Sequence, residues 1–134
     1  MHPLFEKADK IAGSVIGGAI EVHRDKGPGL IESIYERCLE HELHLRGLAT
    51  ESQRVVRVQY KDMVFDEPLR FDTLVEGCLL VEGKCVEKIL PIHKAQLLSY
   101  MKLLNVPVGL VINYHAMVLK DGIHRLILPG ANQL

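Results

Sequence analysis

The sequence predicts an α+β (α/β) fold, a mixed β-sheet flanked by helices, and three observations carry that prediction. Apolar residues recur near a spacing of 3.6 over the first 50 positions. From Gln53 the period falls to two, and the extended segments up to Val86 are joined by links too short for a parallel crossover. A further helical stretch then leads into a wholly apolar segment, as expected of a strand buried on both faces. The 134 residues suit one domain, read here as spanning 1–134, with 48% hydrophobic and 25% charged residues sufficient for a core.

The first helix is expected from about Leu4 to Arg24, where Ile11, Val15, Ile16, Ala19, Ile20 and Val22 share helical spacing. Gly13, Gly17 and Gly18 weaken it intrinsically, so packing must hold it, and small residues let another helix come close. Gly27-Pro28-Gly29 breaks the chain. A second helix follows with Ile31, Ile34, Tyr35, Cys38, Leu39 and Leu43 as its inward stripe and Gly47 as its stop.

Val56, Val58 and Tyr60 alternate with Arg57 and Gln59, and Lys61-Asp62 reads as a turn. Met63–Phe65 is then a short strand, Asp66-Glu67-Pro68 a break, and Leu69–Glu76 the next strand. Gly77 separates that strand from Cys78–Val86. Pro91 suits the first position of a helix running to about Leu104. Val108–Tyr114 is the apolar strand, and Met117–Leu119 with Ile123–Leu128 form a closing hairpin about Lys120-Asp121-Gly122.

Charge narrows the function. Sixteen Lys and Arg against 17 Asp and Glu give a net charge of −1, which argues against a protein that coats DNA but not against an enzyme with a locally positive rim. Cys38, Cys78 and Cys85 form no C-x-x-C pair, so a reduced, cytoplasmic setting is expected. The mixed charges of the first ten residues fit neither a signal peptide nor a membrane span. Cys38, His41 and His44 share a helical surface, yet no fourth ligand accompanies them, so a zinc site is not expected.

The chemistry centres on Asp72 and on Glu82-Gly83-Lys84. Both acids interrupt apolar runs, where an uncompensated carboxylate costs several kcal/mol. Side by side on adjacent strands they suit a hard divalent ion, Mg²⁺ or Mn²⁺. Period two puts Lys84 on the face of Glu82, close enough to assist a water or to stabilise charge on a phosphate. On spacing alone, a solvated strand face accounts for the pattern equally well. His93, Gln96 and Tyr100 add a polar group at helical spacing on an otherwise Leu- and Met-rich helix, and Glu32 sits three before the apolar-stripe residue Tyr35.

Gly29-x-x-Glu32-x-x-Tyr35 resembles the signature of the GxxExxY proteins, a small prokaryotic family within the PD-(D/E)XK nuclease superfamily. Further matches are Glu21-Val22-His23-Arg24, Asp72-x-Leu74-Val75-Glu76 and Val81-Glu82-x-Lys84. They continue through Leu90-Pro91-Ile92-His93-x-Ala95-Gln96-Leu97-Leu98-x-Tyr100, Gly109–Asn113 and Lys120–Ile123, which covers nearly the whole chain.

The resemblance implies a restriction-endonuclease-like core. It places metal on Asp72 and Glu82, a water-activating role on Lys84, and a RecB-like Gln-x-x-x-Tyr pair on Gln96 and Tyr100. Glu32 becomes an additional acid and metal ligand, with His23 a weaker neighbour. Phe71 replaces the motif's Pro. Gly83 stands where relatives carry an aliphatic residue and is expected to loosen the catalytic strand. The function expected is metal-dependent hydrolysis of a nucleic acid, DNA ahead of RNA. The alternative is a catalytically silent binding or assembly module on the same scaffold. A homodimer is a further expectation, since so small a domain offers little surface to a duplex.

Overall fold

Five strands form one sheet in which each lies beside the next in chain order, and the computed structural model describes all 134 residues. Helices α1 (Phe5–Lys26) and α2 (Glu32–Leu45) come first, followed by β1 (Thr50–Tyr60), β2 (Met63–Val75) and β3 (Leu79–Lys84). Helix α3 (Pro91–Leu104), β4 (Val108–Asn113), a 3-10 turn (Leu119–Gly122) and β5 (Ile123–Ile127) complete the chain. β1, β2 and β3 pair antiparallel, β4 pairs parallel to β3, and β5 returns antiparallel to β4. The single parallel step needs a long connection, and α3 supplies it. The expected α+β class is thus the observed one.

Alternation along the strands sorts the core into two layers. Val75, Leu79, Val81, Val108, Leu110 and Ile112 face α1 and α2, while Leu74, Leu80 and Val111 face α3 through Leu97 and Met101. Gly109 faces α3 too, and a Cβ there would stand 2.6 Å from Met101 Sδ, so glycine is what lets α3 seat on β4. On α1, Gly17 and Gly18 admit Arg46, Glu42 and Leu43 of α2, and Arg46 reaches the Ser14 carbonyl at 3.2 Å.

Helix α3 begins and ends where the sequence places it. Three other expectations need correction. Ile31 and Ile34 are exposed, and of the expected stripe α2 buries Tyr35, Leu39 and Leu43; Ile31 lies ahead of the helix, which starts at Glu32. Residues 63–75 form one strand with no break at Asp66-Glu67-Pro68. Pro68 is tolerated because β3 pairs only Thr73–Val75 of β2, leaving the rest of that edge without a ladder to lose. The closing hairpin is β4 with β5, not Met117–Leu119 with Ile123–Leu128: Met117 and Val118 are exposed, and Leu119 turns in with the 3-10 segment.

No helix is long and apolar enough to cross a membrane.

Candidate active site

β2 and β3 stay paired only from Thr73↔Val81 to Val75↔Leu79. Beyond that point β2 leaves to follow β1, and β3 continues beside β4 through Lys84. Asp72 and Glu82 are the first residues past this fork, one on each strand. The Gly83 N–H donates to Asp72 Oδ2 at 2.8 Å, and the Asp72 N–H donates to Glu82 Oε1 at 3.4 Å. Each carboxyl group therefore takes up a backbone donor that the interrupted ladder leaves free.

Both acids titrate above their ordinary range. Burial pushes Glu82 up to about 8, with the neighbouring Asp72 charge adding to it. Burial likewise raises Asp72, opposed by the Gly83 N–H. Glu36, one turn beyond Glu32 on α2, is raised by burial first and then by the charges of Asp72, Glu40 and Glu32.

Two clefts meet at this pair. Glu82, Lys84, His93, Gln96, Leu97 and Tyr100 line one of about 270 Å³. Glu36, Ser52, Arg70, Phe71, Asp72, Glu82 and Tyr100 line the other, of about 390 Å³. Glu82 and Tyr100 belong to both. The opening in the sheet lets an acid from α2 and a tyrosine from α3 border the same space.

Of the residues singled out in the sequence, Asp72, Glu82, Lys84, Gln96 and Tyr100 all border this connected cleft. Glu32 lies beside it, accepting the Cys85 N–H at 3.2 Å just past Lys84. His23 is elsewhere: its Nε2 meets the Ala116 carbonyl at 2.8 Å and ties α1 to the loop after β4. Cys38 and His41 line a separate groove between α1 and α2, and His44 bonds Thr50. No three His, Cys, Asp or Glu side chains stand together as a ready ligand set.

Sequence reasoning missed Glu36, Arg70 and Ser52. Glu36 had a signal, since it follows Glu32 by four and shares its helix face. Arg70 had one as well, since it precedes Asp72 by two on the same strand; Ser52 had none, because only the pairing of β1 with β2 brings it to the site.

Tyr35 ties down the turn that precedes its own helix. Its hydroxyl donates to the Gly27 carbonyl and accepts the Leu30 N–H at 3.1 Å, closing the turn in which Gly27 and Gly29 hold φ of +70° and +104°. Its ring stacks on Tyr114, with centroids 4.4 Å apart and planes 2° from parallel. Tyr114 Cε2 in turn stands 3.2 Å from where a Gly83 Cβ would be. Gly83 thus makes room for a ring, and it remains paired in register with Ile112. The Tyr114 hydroxyl is buried with no hydrogen-bond partner, and burial raises its pKa.

A mixed sheet that forks at an acid and presents Glu-x-Lys on the adjoining strand defines the nuclease-type scaffold. A model of the PD-(D/E)XK nuclease superfamily matches residues 9–126, and the chain belongs to that superfamily. The crystal structure of SSO0001 shares the fold, with a TM-score of 0.53 and 23% sequence identity over 72% of this chain and 49% of that one. This chain therefore spans about half of that protein's length. No curated protein matches the sequence.

The donor set suits the divalent metal that nucleases of this superfamily generally use. Asp72 and Glu82 bring two hard oxygen-donor groups together, with Glu32 and Glu36 close by, and no cationic side chain is bonded to either of the pair. Mg²⁺ commonly takes one or two protein carboxylates and completes its shell with water and phosphate.

Proposed function

We propose that this protein is a single-domain, cytoplasmic nuclease of the GxxExxY, RecB-like type, hydrolysing phosphodiester bonds of DNA ahead of RNA with Mg²⁺ or Mn²⁺. The reciprocal bonding of Asp72 and Glu82 across the fork carries the reading. It fixes two carboxyl groups side by side in a buried place that disfavours their charge, an arrangement a divalent cation would relieve.

Asp72 and Glu82 would hold the metal, with Glu32 as the third acid once it releases the Cys85 N–H. A divalent metal held there would supply Lewis-acid activation of water and of a phosphoryl oxygen. Lys84, on the Glu82 face, would orient the attacking water and stabilise charge building on the phosphate. Gln96 and Tyr100 donate to non-bridging phosphate oxygens from α3, and Arg70 offers a cation from the opposite wall. His93 is held by the bond from the Leu90 N–H to its Nδ1 at 2.9 Å, which leaves Nε2 as its donor toward the cleft it lines.

The alternative, a silent binding module, drew on near-neutral charge and on Gly83. The two carboxyl groups and Lys84 at the fork favour the nuclease reading over it.

Calorimetric titration of Mn²⁺ into the wild type, Asp72→Asn and Glu82→Gln tests the site without assuming a substrate. Binding in the wild type that is lost in both variants is expected. Unchanged binding in the variants would remove these residues as ligands. A cleavage screen on duplex DNA, single-stranded DNA and RNA then tests the reaction.

A further inference from the structure

β3 ends at Lys84, and the residues 85–90 that follow belong to no helix or strand. A residue at such an end frays unless the chain beyond it is tied down. Asp72 and Glu82 take up backbone N–H groups and not the Lys84 ammonium. Where that ammonium stands is therefore set by the backbone that carries it.

Anchors at three successive residues fix this backbone. The Tyr114 N–H donates to the Lys84 carbonyl at 2.8 Å, and the Cys85 N–H donates to Glu32 at 3.2 Å. At Val86 the side chain of Asn113 bonds both halves of the residue. Its Oδ1 accepts the Val86 N–H at 3.2 Å, and its Nδ2 donates to the Val86 carbonyl at 2.8 Å. The same Oδ1 accepts the His115 N–H at 3.2 Å, which braces the amide from its own side of the sheet.

Asn113 is the last residue of β4, is 5% exposed, and stands opposite Lys84 in the parallel register. Residues opposite one another in a sheet point to the same face, so the amide lies on the Lys84 side. It adds one rung to the ladder past the end of the strand, with a side chain in place of backbone. A primary amide offers a donor and an acceptor on separate atoms, as a peptide group does; a carboxylate only accepts, and an apolar side chain does neither.

We propose that Asn113 is a positioning residue for the hydrolysis, acting through Lys84 by holding the chain just beyond it. The proposal rests on the nuclease reading and extends it to a residue that touches neither acid of the pair. Asn113 and Tyr114 hold the residues on both sides of Cys85, so Glu32 can leave the Cys85 N–H without releasing Lys84. Misplacing a reacting group by about 1 Å can cost on the order of 10²-fold in rate, so loss of this hold is read in kcat.

Calorimetry with Mn²⁺, steady-state cleavage of a DNA duplex and urea melts test it on the wild type, Asn113→Ala, Asn113→Asp and Val15→Ala. Val15 is fully buried on α1 and lines neither cleft, so Val15→Ala reports the effect of lost stability alone. Asn113→Asp keeps an acceptor for the Val86 N–H but sets an oxygen against the Val86 carbonyl, and it decides the matter should Asn113→Ala not fold. Both Asn113 variants are expected to hold the Mn²⁺ Kd and the KM within about threefold of wild type while kcat falls by about fivefold or more. Amide exchange at Cys85 and Val86 should accelerate in them, and Val15→Ala should leave that exchange and kcat close to wild type. A smaller loss of kcat in the folded Asn113 variants overturns the proposal. So does an equal loss in Val15→Ala, or a Mn²⁺ affinity that falls along with kcat, since the amide would then act through the acids. A wild type that binds Mn²⁺ but cleaves no nucleic acid removes the nuclease reading itself, and this proposal with it.

Discussion

Asp72 and Glu82 each accept a backbone N–H from the opposing strand, Gly83 giving to Asp72 at 2.8 Å and Asp72 giving to Glu82 at 3.4 Å. The two acids thereby finish a ladder that stops at Thr73 and Val81. They replace pairing between strands with bonds from side chains, and these hold the fork at a fixed opening.

Without metal, stability should fall as pH rises from about 4.5 to 8. Glu82 keeps its proton up to about 8 when folded, against 4.5 as its ordinary value. The unfolded chain therefore binds fewer protons across that window, and raising pH favours unfolding. Glu82→Gln should flatten the slope and be the more stable protein at pH 8, by roughly 1 kcal/mol or more. Urea melts in EDTA at pH 5 and pH 8 measure both quantities; an unaltered slope would show that Glu82 is not the group responsible.

Lys84→Ala should retain Mn²⁺ binding and lose cleavage by about 10²-fold or more, the usual scale for removing a group that stabilises transition-state charge. Glu82→Gln should lose both. Single-turnover assays beside calorimetry separate the two effects, and an active Lys84→Ala protein would reassign the lysine.

Gly83→Ala should destabilise the fold by roughly 1–3 kcal/mol. The added Cβ would lie 3.2 Å from the buried Tyr114 ring, which stacks on Tyr35, so the ring must shift by a few tenths of an ångström to admit it. Tyr114→Phe removes a buried hydroxyl with no partner and should be neutral or stabilising by up to about 1 kcal/mol. Thermal denaturation of both variants checks the pair of signs.

Tyr35→Phe keeps the stack but cuts both bonds across the Gly27–Leu30 turn. A loss of roughly 1–3 kcal/mol is expected, together with faster amide exchange at Leu30.

Local signals were the legible part of this sequence. Pro91 fixed the start of α3, and acids inside apolar runs marked Asp72 and Glu82 before any strand was placed. What stayed hidden depends on distant pairing. Pro68 reads as a break unless it is known that β3 leaves most of β2 uncovered. Ser52 acquires a setting only through the pairing of β1 with β2. Gly83 reads as a weak point in its strand until Tyr114, 31 positions later, is seen to occupy its side-chain space. Ile31 and Ile34 fit an inward stripe by spacing, yet both are exposed, and Ile31 lies ahead of the helix.

The aromatic stack has a mechanical consequence. From the Gly27 carbonyl through Tyr35 and Tyr114 to Gly83, an unbroken run of contacts reaches the glycine whose N–H holds Asp72. The turn between the first two helices thus serves as a strut for the acid pair. A residue that loosens Gly27–Gly29 would disturb the spacing of Asp72 and Glu82 without touching either one.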